Sequence, residues 1–190
     1  MLWVDTETTG LEPDARILEV GLKLTDLNGK TIGIEDLDIV PHLDNLPLNS
    51  SEWALRTHLQ NGLLDEGIKS TISRKTMVSD IQDWLKKIPG DSTVYIAGTN
   101  PQFDLTRIDA LLAAEKVPTL TAIASHRRID ITGVRMLLKS VGFDPYDGSH
   151  NGTHRVLDHI GRDVKDWKKY QNIVKQSKEL KPAKPNGKKK

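Results

Sequence analysis

The sequence predicts an α/β domain with a mixed central sheet that begins as an antiparallel meander and carries helices on both faces. Three observations predict it. Strand-like stretches crowd the first forty residues, helical periodicities dominate from about residue 51, and short buried strands interrupt the helices later. Leu2, Trp3 and Val4 read as a buried strand. Residues 17–26, ILEVGLKLTD, alternate apolar and polar as a strand with one buried face does. Asn28-Gly29 is a strong hairpin signal and leads into a third strand across 31–40. A helix is predicted around SEWALRTHL (51–59), followed by an irregular link. Met77, Ile81, Trp84, Leu85 and Ile88 fall at helical intervals, and Pro89-Gly90 stops that helix. STVYIAGTN (92–100) reads as a buried strand, DLTRIDALLAAEK (104–116) as a helix opened by Asp104, and RRIDIT (127–132) as a further strand. Helical patterns follow at about 132–141, 153–163 and 164–179. The order β-β-β-α-β-α-β-α-α implies a mixed sheet covered by helices.

Composition bounds the function. The 190 residues suffice for one domain with a substantial core. Hydrophobic residues make up 37% and charged residues 28%, an ordinary globular balance. No apolar run approaches the roughly 20 residues a membrane span needs, and no signal peptide is expected before the first strand. The absence of cysteine excludes disulfides and thiolate chemistry and fits a cytoplasmic protein. The net charge of +1 hides an asymmetry, because residues 181–190 hold five lysines and no acids. Residues 1–180 therefore carry 22 basic and 26 acidic residues, a balance of −4. Such a body is no broad nucleic-acid clamp; it would engage a short piece, or act through metals. The expected organisation is one domain over 1–180 and a basic, disordered tail over 181–190.

Three acidic stations stand out. Asp5 and Glu7, at i and i+2, point to one side of a strand; by themselves they read first as solvated strand-end acids. Asp104 follows a strand and opens a helix, where α/β proteins place ligand groups, though the helix dipole alone would favour an acid there. In GTHRVLDHI, His154 is followed by Asp158 four residues on and His159 five on, a spacing that a simple i,i+4 pair would also give.

Together these stations, D-x-E, a distant Asp, and His near a final acid, resemble the DEDD superfamily of 3′→5′ exonucleases in its histidine-bearing branch, with an RNase H-like fold. LWVDTETTGLEPDARILEVGLKLTD, SEWALRTHLQNGLLDEGIKST, GTHRVLDHI and WKKYQNIV resemble the corresponding segments of the oligoribonuclease family, and the likeness spans most of residues 1–175. The resemblance implies a metal-dependent 3′→5′ exoribonuclease that cuts short RNA, especially dinucleotides, to mononucleotides. It implies two divalent ions, Mg²⁺ or Mn²⁺, roughly 3.5–4 Å apart, one activating water and the other steadying the leaving oxygen. Asp5 would bridge both ions, Glu7 would hold one, Asp104 would complete the cluster, and His154 would be the general base. Leu11 would wedge between bases, Trp53 would stack on one, and His58 would lie nearby. Arg127 would bind the terminal phosphate across a homodimer contact.

The pattern departs in places. The family has two adjacent acids after the histidine, the second being the ligand; here those positions are Asp158 and His159. Either His159 replaces the ligand, favouring Mn²⁺ or a softer ion, or Asp158 serves after a small helix shift. About 100° of helix rotation separates the two directions. His126 stands where the family has a tyrosine that reaches the partner subunit's site, and Asn100 where serine is frequent near the terminal phosphate. Two other readings stay open: a general DNA or RNA exonuclease of the same fold, and an impaired protein that only binds short nucleotides.

Overall fold

The computed structural model describes residues 1–146 and 152–176; the predicted tail over 181–190 lies outside the described residues. A five-stranded sheet has the order β3-β2-β1-β4-β5. Its strands are β1 (Leu2–Thr8), β2 (Ile17–Leu24), β3 (Leu37–Ile39), β4 (Ile96–Gly98) and β5 (Arg128–Asp130). The first three pair antiparallel, and β1, β4 and β5 run parallel. The mixed sheet beginning with a meander is thus present. Its helices are α1 (Glu52–Gln60), α2 (Leu63–Lys69), α3 (Arg74–Leu85), α4 (Pro101–Ala114), α5 (Leu120–Ile123), α6 (Ile131–Ser140) and α7 (Val156–Gln176).

Alternation along β1 sorts the two cores. Leu2 and Val4 enter a cluster with Ile81, Trp84, Leu105 and Ile108 from α3 and α4. Trp3 enters the opposite cluster with Ile131, Ile160, Val164 and Tyr170 from α6 and α7. Burial of these side chains contributes ~1.5–3 kcal/mol each.

Several elements differ from the sequence prediction, for local reasons. The third strand shrinks to Leu37–Ile39, because Gly33 takes a left-handed φ of +54° and the chain leaves the sheet until Leu37. The α3 helix starts at Arg74, where the Ser73 side chain caps the Thr76 N–H at 3.0 Å. Pro101 at the first turn of α4 begins that helix three residues before Asp104. The two expected C-terminal helices are one, α7, since nothing between Gly161 and Val164 interrupts it. Finally, β2 does not have one buried face. Glu19, on the side read as polar, is completely buried under α7.

Candidate active site

The parallel pairing ends β1 beside the start of α4, and there the acids gather. β1 continues through Thr8, so Asp5 and Glu7 lie within the strand and not beyond its end. Both face α7. On α4, Asp104 is buried and accepts hydrogen bonds from the Thr6 N–H at 2.9 Å and the Thr6 hydroxyl at 2.7 Å. A cavity of about 220 Å³ is bordered by Asp5, Glu7, Asp104, His159, Leu11 and Asn100.

The rotation of α7 decides which of its residues meets the acids. Gly21, paired with Asp5 across β1 and β2, lets the helix land on the sheet: a Cβ there would stand 2.7 Å from Val156. With Val156 and Ile160 against the sheet, Asp158 lies about 200° around from Val156 and His159 about 60° short of a full turn. Asp158 is accordingly exposed and accepts the Thr153 hydroxyl. His159 faces inward, with Nδ1 3.1 Å from Asp5 Oδ2 and 3.3 Å from Glu7 Oε1.

His154 precedes α7 in a left-handed backbone, φ +52°, a conformation that costs a non-glycine residue ~1–2 kcal/mol. Two neighbours hold it. The Asn61 side-chain amide donates to the carbonyls of Thr153 at 2.9 Å and His154 at 2.8 Å. Glu19 accepts from Arg155 Nε at 2.8 Å and from the Val156 N–H at 3.2 Å. The His154 ring then lies edge-on between Trp53, 5.2 Å away, and His159, 5.4 Å away.

Electrostatics mark the cluster. Among the described residues no arginine or lysine comes within 4.0 Å of Asp5, Glu7 or Asp104; only the imidazoles of His159 and His58 do. Burial pushes Glu7 up to about 8 and Asp104 up to about 7. Burial, followed by the nearby Asp163 charge, holds Asp5 well above the usual carboxylate range. Burial lowers His154 and His159, and takes His58 down to about 4. Glu7 Oε1 is buried and accepts no hydrogen bond. Oxygen ligands from three crowded, underpaired acids suit divalent cations, so these residues fit a metal centre.

The predicted substrate residues divide. Leu11 and Trp53 are 81% and 63% exposed, so neither is a core side chain. His58 is buried behind Glu7, with Nε2 3.5 Å from Glu7 Oε2. Asn100 caps α4 at φ +52° on the cavity rim. His126 and Arg127 are exposed and lie at the other end of the sheet. Arg128 is level with Ile96, and Ile96 with Leu2, which puts Arg127 roughly 13–20 Å from Asp5 and Glu7 along the strand direction. The roles of Glu19 and Asn61 had no signal in the sequence beyond their types; each acts on a loop more than ninety residues away.

No family model matches the chain. In fold, the RNase domain of the yeast Pop2 protein superposes with a TM-score of 0.63 at 13% identity, covering 92% of this chain and 76% of that one. Exonuclease I from Methylocaldum szegediense superposes with a TM-score of 0.62 at 21% identity, covering 91% of this chain and 42% of that longer one. The architecture is therefore that of the RNase H-like exonucleases. In sequence, a probable oligoribonuclease of Caenorhabditis elegans is 30% identical over 178 residues, 92% of this chain and 88% of that one. An oligoribonuclease of Pseudoalteromonas atlantica is 26% identical over 177 residues, 92% and 94% of the two chains. This chain belongs to the oligoribonuclease family of metal-dependent 3′→5′ exoribonucleases. Among the described residues, no helix is long and apolar enough to cross a membrane.

Proposed function

We propose that this chain hydrolyses short oligoribonucleotides, dinucleotides above all, from the 3′ end to mononucleotides in the cytoplasm. The observation that carries the reading is half-buried Asp5 beside buried Glu7 and Asp104, a trio that meets His159 but no arginine or lysine within 4.0 Å. Asp5, Glu7, Asp104 and His159 would hold two divalent ions, Mg²⁺ or Mn²⁺, whose charge neutralises phosphate oxygens and acidifies water. Asp158, turned outward, is not in this set.

His154 accepts the proton of the attacking water as its oxygen bonds to phosphorus and the P–O3′ bond breaks. A 5′-mononucleotide leaves, and the remaining RNA keeps a 3′-hydroxyl. The lowered pKa of His154, set by burial, keeps the imidazole neutral and able to accept at neutral pH. Leu11 and Trp53 offer apolar surface to the bases in any sequence. Arg127 and His126, distant from the acids of their own chain, would act in the site of a second copy, with Arg127 on the terminal phosphate.

The test is cleavage of end-labelled RNAs of two, three, five and ten nucleotides with Mg²⁺ and Mn²⁺ in parallel. Preferential loss of the dinucleotide is expected. Equal attack on every length would instead make the protein a general exonuclease. Binding without cleavage would make it a nucleotide binder, the reading favoured by histidine at position 159.

A further inference from the structure

We propose that Glu7, His154 and His159 form a site for a borderline transition ion of the Zn²⁺ class, which captures the general base when it binds. This rests on the reading above that the cluster holds divalent ions. It goes further by assigning His154 as a ligand in one metal state and by naming an ion that switches the site off.

Geometry comes first. One ligand atom from each of the three residues lies within 4.8 Å of the other two. A tetrahedral ion with bonds of ~2.0–2.1 Å has ligand–ligand edges of about 3.3 Å. The edge from His159 Nδ1 to Glu7 Oε1 is already 3.3 Å. The other two edges, at no more than 4.8 Å, would have to shorten by up to about 1.5 Å, which would leave the fourth position to water or phosphate.

The donors are also prepared. Glu7 is 8% exposed, and its Oε1 accepts no hydrogen bond, so a buried acceptor faces the site with only the His159 imidazole near it. His159 presents Nδ1 to the acids, and its Nε2 lies on the far side beside Gly152, where a Cβ would stand only 3.2 Å away. His154 is fixed by its left-handed backbone and by the Asn61 amide, so little freedom is lost when a metal binds it.

Chemistry then selects the ion. Two imidazole nitrogens and one carboxylate suit Zn²⁺, Co²⁺ or Ni²⁺, whereas Mg²⁺ demands a set of oxygens in near-octahedral array. An ion in this set occupies the His154 lone pair that would otherwise take the proton from water.

The experiment titrates the metal-free full chain with Zn²⁺ by calorimetry and with Co²⁺ by visible absorption, each with and without a large excess of Mg²⁺. Wild type is expected to bind one Zn²⁺ that excess Mg²⁺ does not displace, and to give the intense absorption of low-coordinate Co²⁺. His154→Ala and His159→Ala should each weaken Zn²⁺ by more than the roughly 10–100-fold that losing an outer-shell partner costs. His159→Asp should make Mg²⁺ an effective competitor. Melting curves of the metal-free variants confirm that they fold, and His154→Gln replaces His154→Ala should the latter not fold. Unchanged Zn²⁺ affinity in the folded histidine variants would overturn the proposal, as would equal displacement by Mg²⁺ from wild type and His159→Asp. The Zn²⁺-free wild-type chain is assayed on dinucleotide RNA with Mn²⁺, and adding Zn²⁺ is expected to stop the cleavage. Absence of cleavage before Zn²⁺ is added overturns the exoribonuclease reading alone, because the histidine-dependent Zn²⁺ site is read without RNA.

Discussion

Two groups of buried acids, both touching α7, are compensated in opposite ways. Asp163 and Asp166 share Arg135, whose guanidinium donates to them at 2.8 and 2.7 Å with all three residues under 5% exposed. Glu19 is paired with Arg155 at 2.7 Å, although burial still pushes it up to about 7. Asp5, Glu7 and Asp104 are as crowded but have only imidazoles within 4.0 Å, and burial raises all three pKa values. The chain supplies a permanent cation where the role is to hold helices together. It supplies none where a charge must come from outside, and the difference separates structure from chemistry within one helix.

Substitutions should split along the same line. Asp5→Asn should abolish RNA cleavage while leaving the metal-free fold as stable as wild type or more so, because it removes an acid that burial already penalises; activity assays and denaturant melts of one sample check both. His154→Ala should lower kcat about 10²–10⁴-fold. Arg135→Ala should do the reverse of Asp5→Asn, destabilising the fold by about 3–5 kcal/mol because it strips Asp163 and Asp166 of their shared guanidinium. A chemical melt measures that loss. Trp53→Ala should raise KM by the equivalent of ~1–3 kcal/mol, with kcat nearly constant.

A pH series gives the sharpest sign. In the unfolded chain Glu7 would titrate near 4.5, whereas in the fold it does so at about 8. Across that window the folded, metal-free protein keeps a proton that the unfolded chain has lost. The Glu7 contribution to stability therefore falls as pH rises from 4.5 to 8. Mn²⁺ should reverse the slope, since it favours the ionised acids; melting temperatures at several pH values, with and without the ion, would show it.

Of this contrast, the side formed by the candidate site was legible in the sequence. The D-x-E pair, the acid after a strand and the histidine before the last helix are local patterns, and local patterns survive without knowledge of packing. The choice between Asp158 and His159 was not legible, because it depends on how α7 is rotated, and Gly21 on a distant strand sets that rotation. Glu19 was misread for a related reason. Alternation in β2 marks one face as polar, but polarity means exposure only where no helix lies above. Arg135 gave no signal at all, since its partners lie 28 and 31 residues further along the chain.

The Asn61 amide has one more implication. It closes the end of α1 and grips the two carbonyls around His154, so the helix that displays Trp53 and the loop that displays the base share a single strut. A nucleobase leaning on Trp53 therefore presses on the same rigid piece that positions the proton acceptor. Grip and reaction are geared to each other, and a substrate too short to reach the helix forfeits alignment as well as hold.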